Sequence, residues 1–169
     1  MRVGEFEKVS FEQFCDGVRK NPYGAYSDEE LRVIYESIAL PTRATAGSAG
    51  YDFKAPFEFR MCPKSTITIP TGVRCKIEDE WFLACFPRSG LGFKYKVQLA
   101  NTVGVIDLDY YYSDNEGHIF LKLCNDGHKE MTVNAGQGFA QGIFLPFGLT
   151  YSDDVRSARN GGMGSTDKK

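Results

Sequence analysis

The stretch "GVIDLDYYYSDNEGHI", Gly104 to Ile119, brings an apolar run to a carboxylate at Asp107 and follows it with an aromatic ring at Tyr110. A carboxylate placed where an apolar strand surfaces can be fixed and tuned for use as a general base. A flat phenol ring three residues on can stack against a sugar or a base. The same letters also suit a hairpin with acidic ends. Two other stretches carry related chemistry. "PRSGLG", Pro87 to Gly92, follows an apolar strand with Arg88, Ser89 and Gly90. Such a strand end can cradle an anion: the glycine admits close backbone approach, the serine donates a hydroxyl, and the arginine makes a charge-assisted bond. Read alone, it is more often a surface turn with an incidental arginine. "AGSAGYDF", Ala46 to Phe53, is a small-residue loop that ends at Asp52. It reads as a tight turn into a strand, or as a carboxylate near a metal–phosphate complex, since Mg²⁺ keeps most of its waters and needs few protein oxygens.

The elements that must position these residues fall into two grammars. Ser10 with Gln13, and Ser27 with Glu30, have capping-box spacing. Each is followed by an apolar helical stripe: Phe11, Phe14, Cys15, Val18, then Leu31, Ile34, Tyr35, Ile38. The second helix could stop early, because residues 34–40 also suit a strand. From Pro41 the chain reads as short strands: "STITIP", "GVRCKI", "WFLACF", "HIFLKLCN" and "GFAQGIFLPF". Turn signals recur at the spacing of a β-sandwich or barrel. "RNGGMGSTDKK" closes the sequence with little to bury, as either a frayed terminus or an arm that orders over a ligand. In the second case glycine-rich backbone and Arg159 would meet phosphate oxygens.

Composition narrows the function classes. The 169 residues suit one domain with a real core. A formal net charge of −2 gives no electrostatic reason for non-specific duplex binding. Five cysteines form no CxxC pair, and only His118 and His128 are available, so a zinc site is poorly supported. Buried free thiols in a reducing compartment are the expectation. No apolar run approaches the roughly 20 residues that span a bilayer, and no signal peptide is read. A soluble, cytoplasmic protein is expected.

Taken in order, "AGSAGYDF", "PRSGLGFKY", "NTVGVIDLDYY", "GQGFAQGIF" and "RNGGMGST" resemble the five motifs of the trimeric dUTPases, over roughly residues 40–166. The resemblance implies an all-β, dUTPase-like sandwich or barrel of jelly-roll kind. Residues 1–38 would be a helical N-terminal extension, 39–152 the β domain, and 153–169 a flexible glycine-rich arm that closes over a neighbouring site. It implies hydrolysis of dUTP to dUMP and pyrophosphate, which limits uracil in DNA and supplies dUMP for dTMP synthesis. Asp107 would activate the water that attacks the α-phosphorus. Tyr110 would lie against the deoxyribose, Asn101 near base and water, and Met163 on the uracil. Main chain of a β-hairpin after Tyr110 would read the base. Arg88, Ser89, Gly90, Gln141, Arg159, Ser165 and Thr166 would hold phosphates, and Asp52 would orient waters of a Mg²⁺ bound mainly by the triphosphate. A homotrimer with shared sites is implied, with no direct nucleic-acid binding and no membrane.

Four features depart from the pattern. Residues 111–116 lengthen the hairpin, Met163 stands where phenylalanine is usual, Arg159 (or Arg156) sits nearer the Gly161–Gly162 pair, and Gln137–Gly138 replace Asp-Arg. A dCTP deaminase, or a bifunctional deaminase–dUTPase, is the nearest rival. It needs a glutamate by the ring, for which Glu116 is the nearby candidate. A dUTPase-like regulatory binder is a second rival. A capsid-type sandwich is a third, and it gives no reason for five phosphate-site motifs.

Overall fold

A computed structural model gives the fold, and it describes residues 1–21 and 25–156. The elements are β1 (Gly4–Lys8), α1 (Phe11–Arg19), α2 (Asp28–Ser37), β2 (Thr42–Arg43), β3 (Tyr51–Lys54), β4 (Phe59–Met61), β5 (Thr66–Pro70) and β6 (Val73–Ile77). There follow β7 (Trp81–Pro87), α3 (Ser89–Tyr95), β8 (Val97–Leu99), β9 (Gly104–Ile106), a 3-10 helix (Leu108–Tyr112), β10 (Phe120–Asn125), β11 (Met131–Val133) and β12 (Gly138–Pro146). The expected all-β architecture is present. The largest sheet runs β2-β3-β12-β7-β9, and β5-β10-β8, β11-β4 and β1-β6 pack with it.

The apolar patterning explains the placement. "WFLACF" forms β7, which pairs with β12 and β9, and its successive residues Leu83, Ala84 and Cys85, pointing to opposite faces, are all buried. A continuous apolar run belongs in such a doubly covered strand. In β6, Val73, Cys75 and Ile77 point inward and Lys76 outward, as alternation requires. Burial pushes the Cys75 thiol far up and that of Cys85 up to about 12, so both remain protonated. All five cysteines are free.

Both expected helices form. Ser27 and Glu30 complete a reciprocal capping box, and α2 continues through Ser37, so the alternative strand over 34–40 does not form. At α1 the box is only half built from local residues: Ser10 Oγ accepts from Gln13 N, but the backbone N–H of Ser10 donates to Glu116 Oε2 at 2.7 Å. The helices bury Phe14 and Leu31 fully in the same core as Phe53, Leu83 and Phe139. Each such side chain contributes about 1.5–3 kcal/mol. The first 38 residues are therefore more than a helical extension. They begin with β1, whose Phe6 pairs with Cys75 of β6. That strand escapes sequence reading because "GEFEK" is half charged and only partly buried.

Candidate active site

Three expected phosphate- and metal-side residues converge at one end of the large sheet. Asp52 of β3 lies opposite Gln141 of β12 in the strand register. Arg88 follows β7, which is β12's other neighbour, and its Nε approaches Asp52 Oδ1 at 3.2 Å. Arg88 Nη1 also donates to the Gly138 carbonyl at 3.4 Å, and Gln141 Nε2 donates to Pro87 O at 3.2 Å. Two glycines clear the space. A Cβ on Gly50 would overlap Gln141 Oε1, and one on Gly138 would press on the Arg88 guanidinium. The motif glycines thus keep room for these side chains. Ser89 and Gly90 are exposed. The sequence suggests a turn here, whereas the chain winds Ser89–Tyr95 into α3, with Lys96 in the left-handed C-cap position. The first N–H groups of a helix have no intrahelical acceptor; here Leu91 N already donates to Arg88 O at 3.1 Å, and exposed Ser89 and Gly90 precede it. The glycines at 90 and 92 mask this helix in the sequence, since glycine is a poor helix former.

Asp107 occupies a different place. It is exposed at the end of β9, directly after buried Ile106, and begins the 3-10 helix. Asn101 is also exposed, in the turn before β9. The β-hairpin expected after Tyr110 is absent. β9 is the edge strand of the large sheet, β10 belongs to another sheet, and residues 108–112 coil as the 3-10 helix between them. The physical reason is the added segment, whose turn passes through positive φ at Glu116 and Gly117. Tyr110 is 2% exposed, so in the single chain its ring offers almost no surface to a ligand. Its hydroxyl donates to His118 O at 2.6 Å and accepts from Asn115 Nδ2 at 2.8 Å. Tyr112 is the exposed member of the trio, at 73%.

The register sets the two groups apart. Leu83 faces Ile106, which puts Asp107 level with Phe82, six residues along β7 from Arg88. At ~3.3 Å per residue, about 20 Å separates them, more than the length of a triphosphate. One chain brings Asp52, Arg88 and Gln141 together and leaves Asp107 elsewhere. Arg159, Met163, Ser165 and Thr166 lie outside the described residues.

The lengthened segment is held by residues that sequence reading passed over. Tyr111 Oη donates to Glu7 Oε2 at 2.8 Å, and Arg74 Nη2 donates to the same oxygen at 2.7 Å. The guanidinium carbon of Arg74 stands 4.4 Å from the Tyr111 ring centroid. The Tyr111 hydrogen bond, helped by Arg74, holds the Glu7 carboxyl below its usual range against the opposing effect of burial. Burial pushes the Glu116 carboxyl up, but the hydrogen bonds from Ser10 outweigh it and the net shift is downward. His118 is fully buried and accepts from Gly72 N at 2.9 Å. Burial lowers its pKa to about 4, against the opposing pull of Glu116 and Asp16.

Among the described residues no three His, Cys, Asp or Glu side chains cluster as a metal cage. Asp52, 14% exposed, supplies one carboxylate. That donor set fits a hard cation bound chiefly by a ligand's own oxygens. No helix among the described residues is long and apolar enough to cross a membrane.

Known proteins match this chain in sequence and fold. The dUTPase family model matches residues 36–166. The deoxyuridine 5'-triphosphate nucleotidohydrolase of Lactococcus lactis subsp. lactis is 38% identical over 132 residues, 76% of this chain and 88% of the relative. That of Salmonella paratyphi A is 35% identical over 144 residues, 80% and 92% of the two chains. Among solved structures, the dUTPase from Streptococcus mutans superposes with a TM-score of 0.64 at 34% identity, covering 86% of this chain and 97% of that one. A mutant of the dUTPase from phage phi11 of S. aureus, which coordinates a structural Mg(II) ion, shares the fold with a TM-score of 0.64 at 16% identity, covering 92% and 98%.

Proposed function

The chain belongs to the dUTPase family, and we propose for it hydrolysis of dUTP to dUMP and pyrophosphate at a site assembled between chains of a homotrimer. The observation that carries this reading is the convergence of Asp52, Arg88 and Gln141 at one sheet end, with Asp107 about 20 Å away on the same chain. A site that needs both groups must take them from different chains. Apolar Leu149, Tyr151 and Val155, exposed in the single chain, support a C-terminal segment that continues onto a neighbour.

In this mechanism Asp107 takes a proton from the water that attacks the α-phosphorus, and pyrophosphate leaves in line. Arg88, Ser89, Gly90 and Gln141 of a neighbouring chain hold the phosphates and meet the charge that grows on them. Mg²⁺, when bound by the triphosphate with Asp52 accepting from its waters, supplies further neutralising charge. The residue 153–169 arm brings Arg159, Ser165 and Thr166 to the phosphates and Met163 to the base, excluding water. The outer edge of β9 offers main-chain groups to the uracil in place of a hairpin, with Asn101 beside it. Tyr110, buried as it is, backs the sugar side rather than presenting a platform. The residue blocks 1–38 and 39–152 act as one folding unit, and a cytoplasmic location accords with the five free thiols. The deaminase alternative is disfavoured: β10, "FLKLCN", has no acid, and Glu116 is engaged by Ser10.

A pyrophosphate-release assay with dUTP, dCTP, dTTP and UTP in Mg²⁺ tests the reading. Cleavage should be confined to dUTP, without ammonia release from dCTP, and Asp107→Asn should lower kcat by about 10²–10⁴. Equal cleavage of UTP, or an unaffected Asp107→Asn, would contradict it.

A further inference from the structure

The segment that follows Asp107 and Tyr110 is not self-supporting. Its 3-10 helix ends at Tyr112, and the chain then turns back through two consecutive left-handed residues, Glu116 at φ 56° and Gly117 at φ 69°. A left-handed glutamate is uncommon and strained, and it persists only where its surroundings hold it. They do so here from the far end of the sequence. Both carboxylate oxygens of Glu116 are engaged by Ser10, Oε2 by the backbone N–H at 2.7 Å and Oε1 by the hydroxyl at 2.6 Å. Glu7, also in the amino-terminal segment, accepts from Tyr111 Oη, and Arg74 bonds to that carboxylate while covering the ring. Inside the turn the grip passes to Tyr110: Ser113 Oγ donates to Tyr110 O at 2.5 Å, and Asn115 Nδ2 donates to its hydroxyl.

We infer that Glu7 and Ser10 are positioning residues of the active site, which reach through Tyr111 and Glu116 to fix how the 108–118 segment meets the nucleoside. The inference rests on the assignment of Asp107 and Tyr110 to the dUTP site. The amino-terminal segment and the added residues are thus one device: each supplies the partners that the other lacks. Asp107 itself is carried by β9, which is bonded to β7 independently of this contact. Loosening the latch therefore degrades recognition of the sugar and base more than the chemical step.

The test uses the full chain and steady-state pyrophosphate release from dUTP and UTP. The Tyr111→Phe/Glu116→Ala double variant should raise KM for dUTP about tenfold and narrow the dUTP-to-UTP preference by a similar factor, with kcat within about threefold of wild type. Glu116→Gln, which keeps an oxygen to accept from Ser10 N–H, should recover most of the KM. If the double variant does not fold, Tyr111→Phe alone should still raise KM about two- to threefold. Unchanged KM and preference in a folded variant, whatever happens to its melting temperature, would overturn the inference. A wild-type chain that does not cleave dUTP would instead overturn the assignment of the site, and the inference would fall with it.

Discussion

The two ends of the large sheet hold their functional groups by different means. At the proposed phosphate end, Asp52 and Gln141 stand on paired strands and Arg88 directly follows the next one, so strand register brings the three together and the Arg88–Asp52 ion pair adds to it. At the proposed nucleoside end, Asp107 leads into a 3-10 helix that contains Tyr110, and the segment is held by groups of residues 7, 10 and 74. Ladder-built geometry tolerates the loss of any one side chain. Geometry built from side-chain hydrogen bonds depends on each partner, because a buried polar group left unpaired costs about 1–3 kcal/mol.

Glycine substitutions separate the two ends most. A Cβ on Gly117 would lie 2.7 Å from Tyr111 Cα and 2.9 Å from Tyr110 O, both backbone atoms, at a φ of 69°. Gly117→Ala should therefore cost about 3 kcal/mol or more in chemical denaturation and disturb the nucleoside end as a whole. At the proposed phosphate end, the Cβ of Gly50→Ala meets the Gln141 side chain and no backbone atom among its nearest neighbours, overlapping most with the amide oxygen. That substitution should leave the melting temperature near wild type and lower kcat/KM for dUTP about tenfold by displacing the amide. A larger stability loss from Gly50→Ala than from Gly117→Ala would reverse the contrast.

Acid separates the two ends by a smaller amount. His118 is held neutral, with a folded pKa of about 4. Its unfolded pKa is near 6.5, so between these values the unfolded chain binds the extra proton and stability falls as pH falls. The slope should be about 1 kcal/mol per pH unit at mid-window. Glu7 and Glu116, both lowered, add their stability above the ordinary carboxylate range and lose it only at lower pH. Hydrogen exchange should then rise first in residues 1–21 and 108–118, and only later in β7 and β12. Simultaneous release of both regions would count against separate supports.

The same difference governs what the sequence discloses. Asp52, Arg88 and Gln141 sit in short local motifs, and β7 and β12 are continuous apolar runs, so the strands that bring the three together are legible in the letters. The latch cannot be read this way. Glu116 completes the helix cap that the spacing assigns to Gln13, and the contact spans 106 residues of chain. β1 pairs through half-charged residues that carry no apolar alternation. The hairpin expected after Tyr110 gives way to a 3-10 helix because the lengthened segment 111–116 must turn back, and turn geometry of that kind is set by tertiary partners. The separation of Asp107 from Arg88 is equally invisible until the strand register is known.

Mixing two inactive chains tests that separation most directly. Asp107→Asn and Arg88→Ala, each inactive alone, would be unfolded together in equal amounts and refolded into mixed trimers. If every site takes position 107 from one chain and position 88 from another, random mixing leaves about a quarter of sites with both groups intact, and dUTP cleavage should return to about a quarter of wild type. No recovery above the two parents, in trimers shown to be mixed, would place both groups in one chain's site and contradict the account.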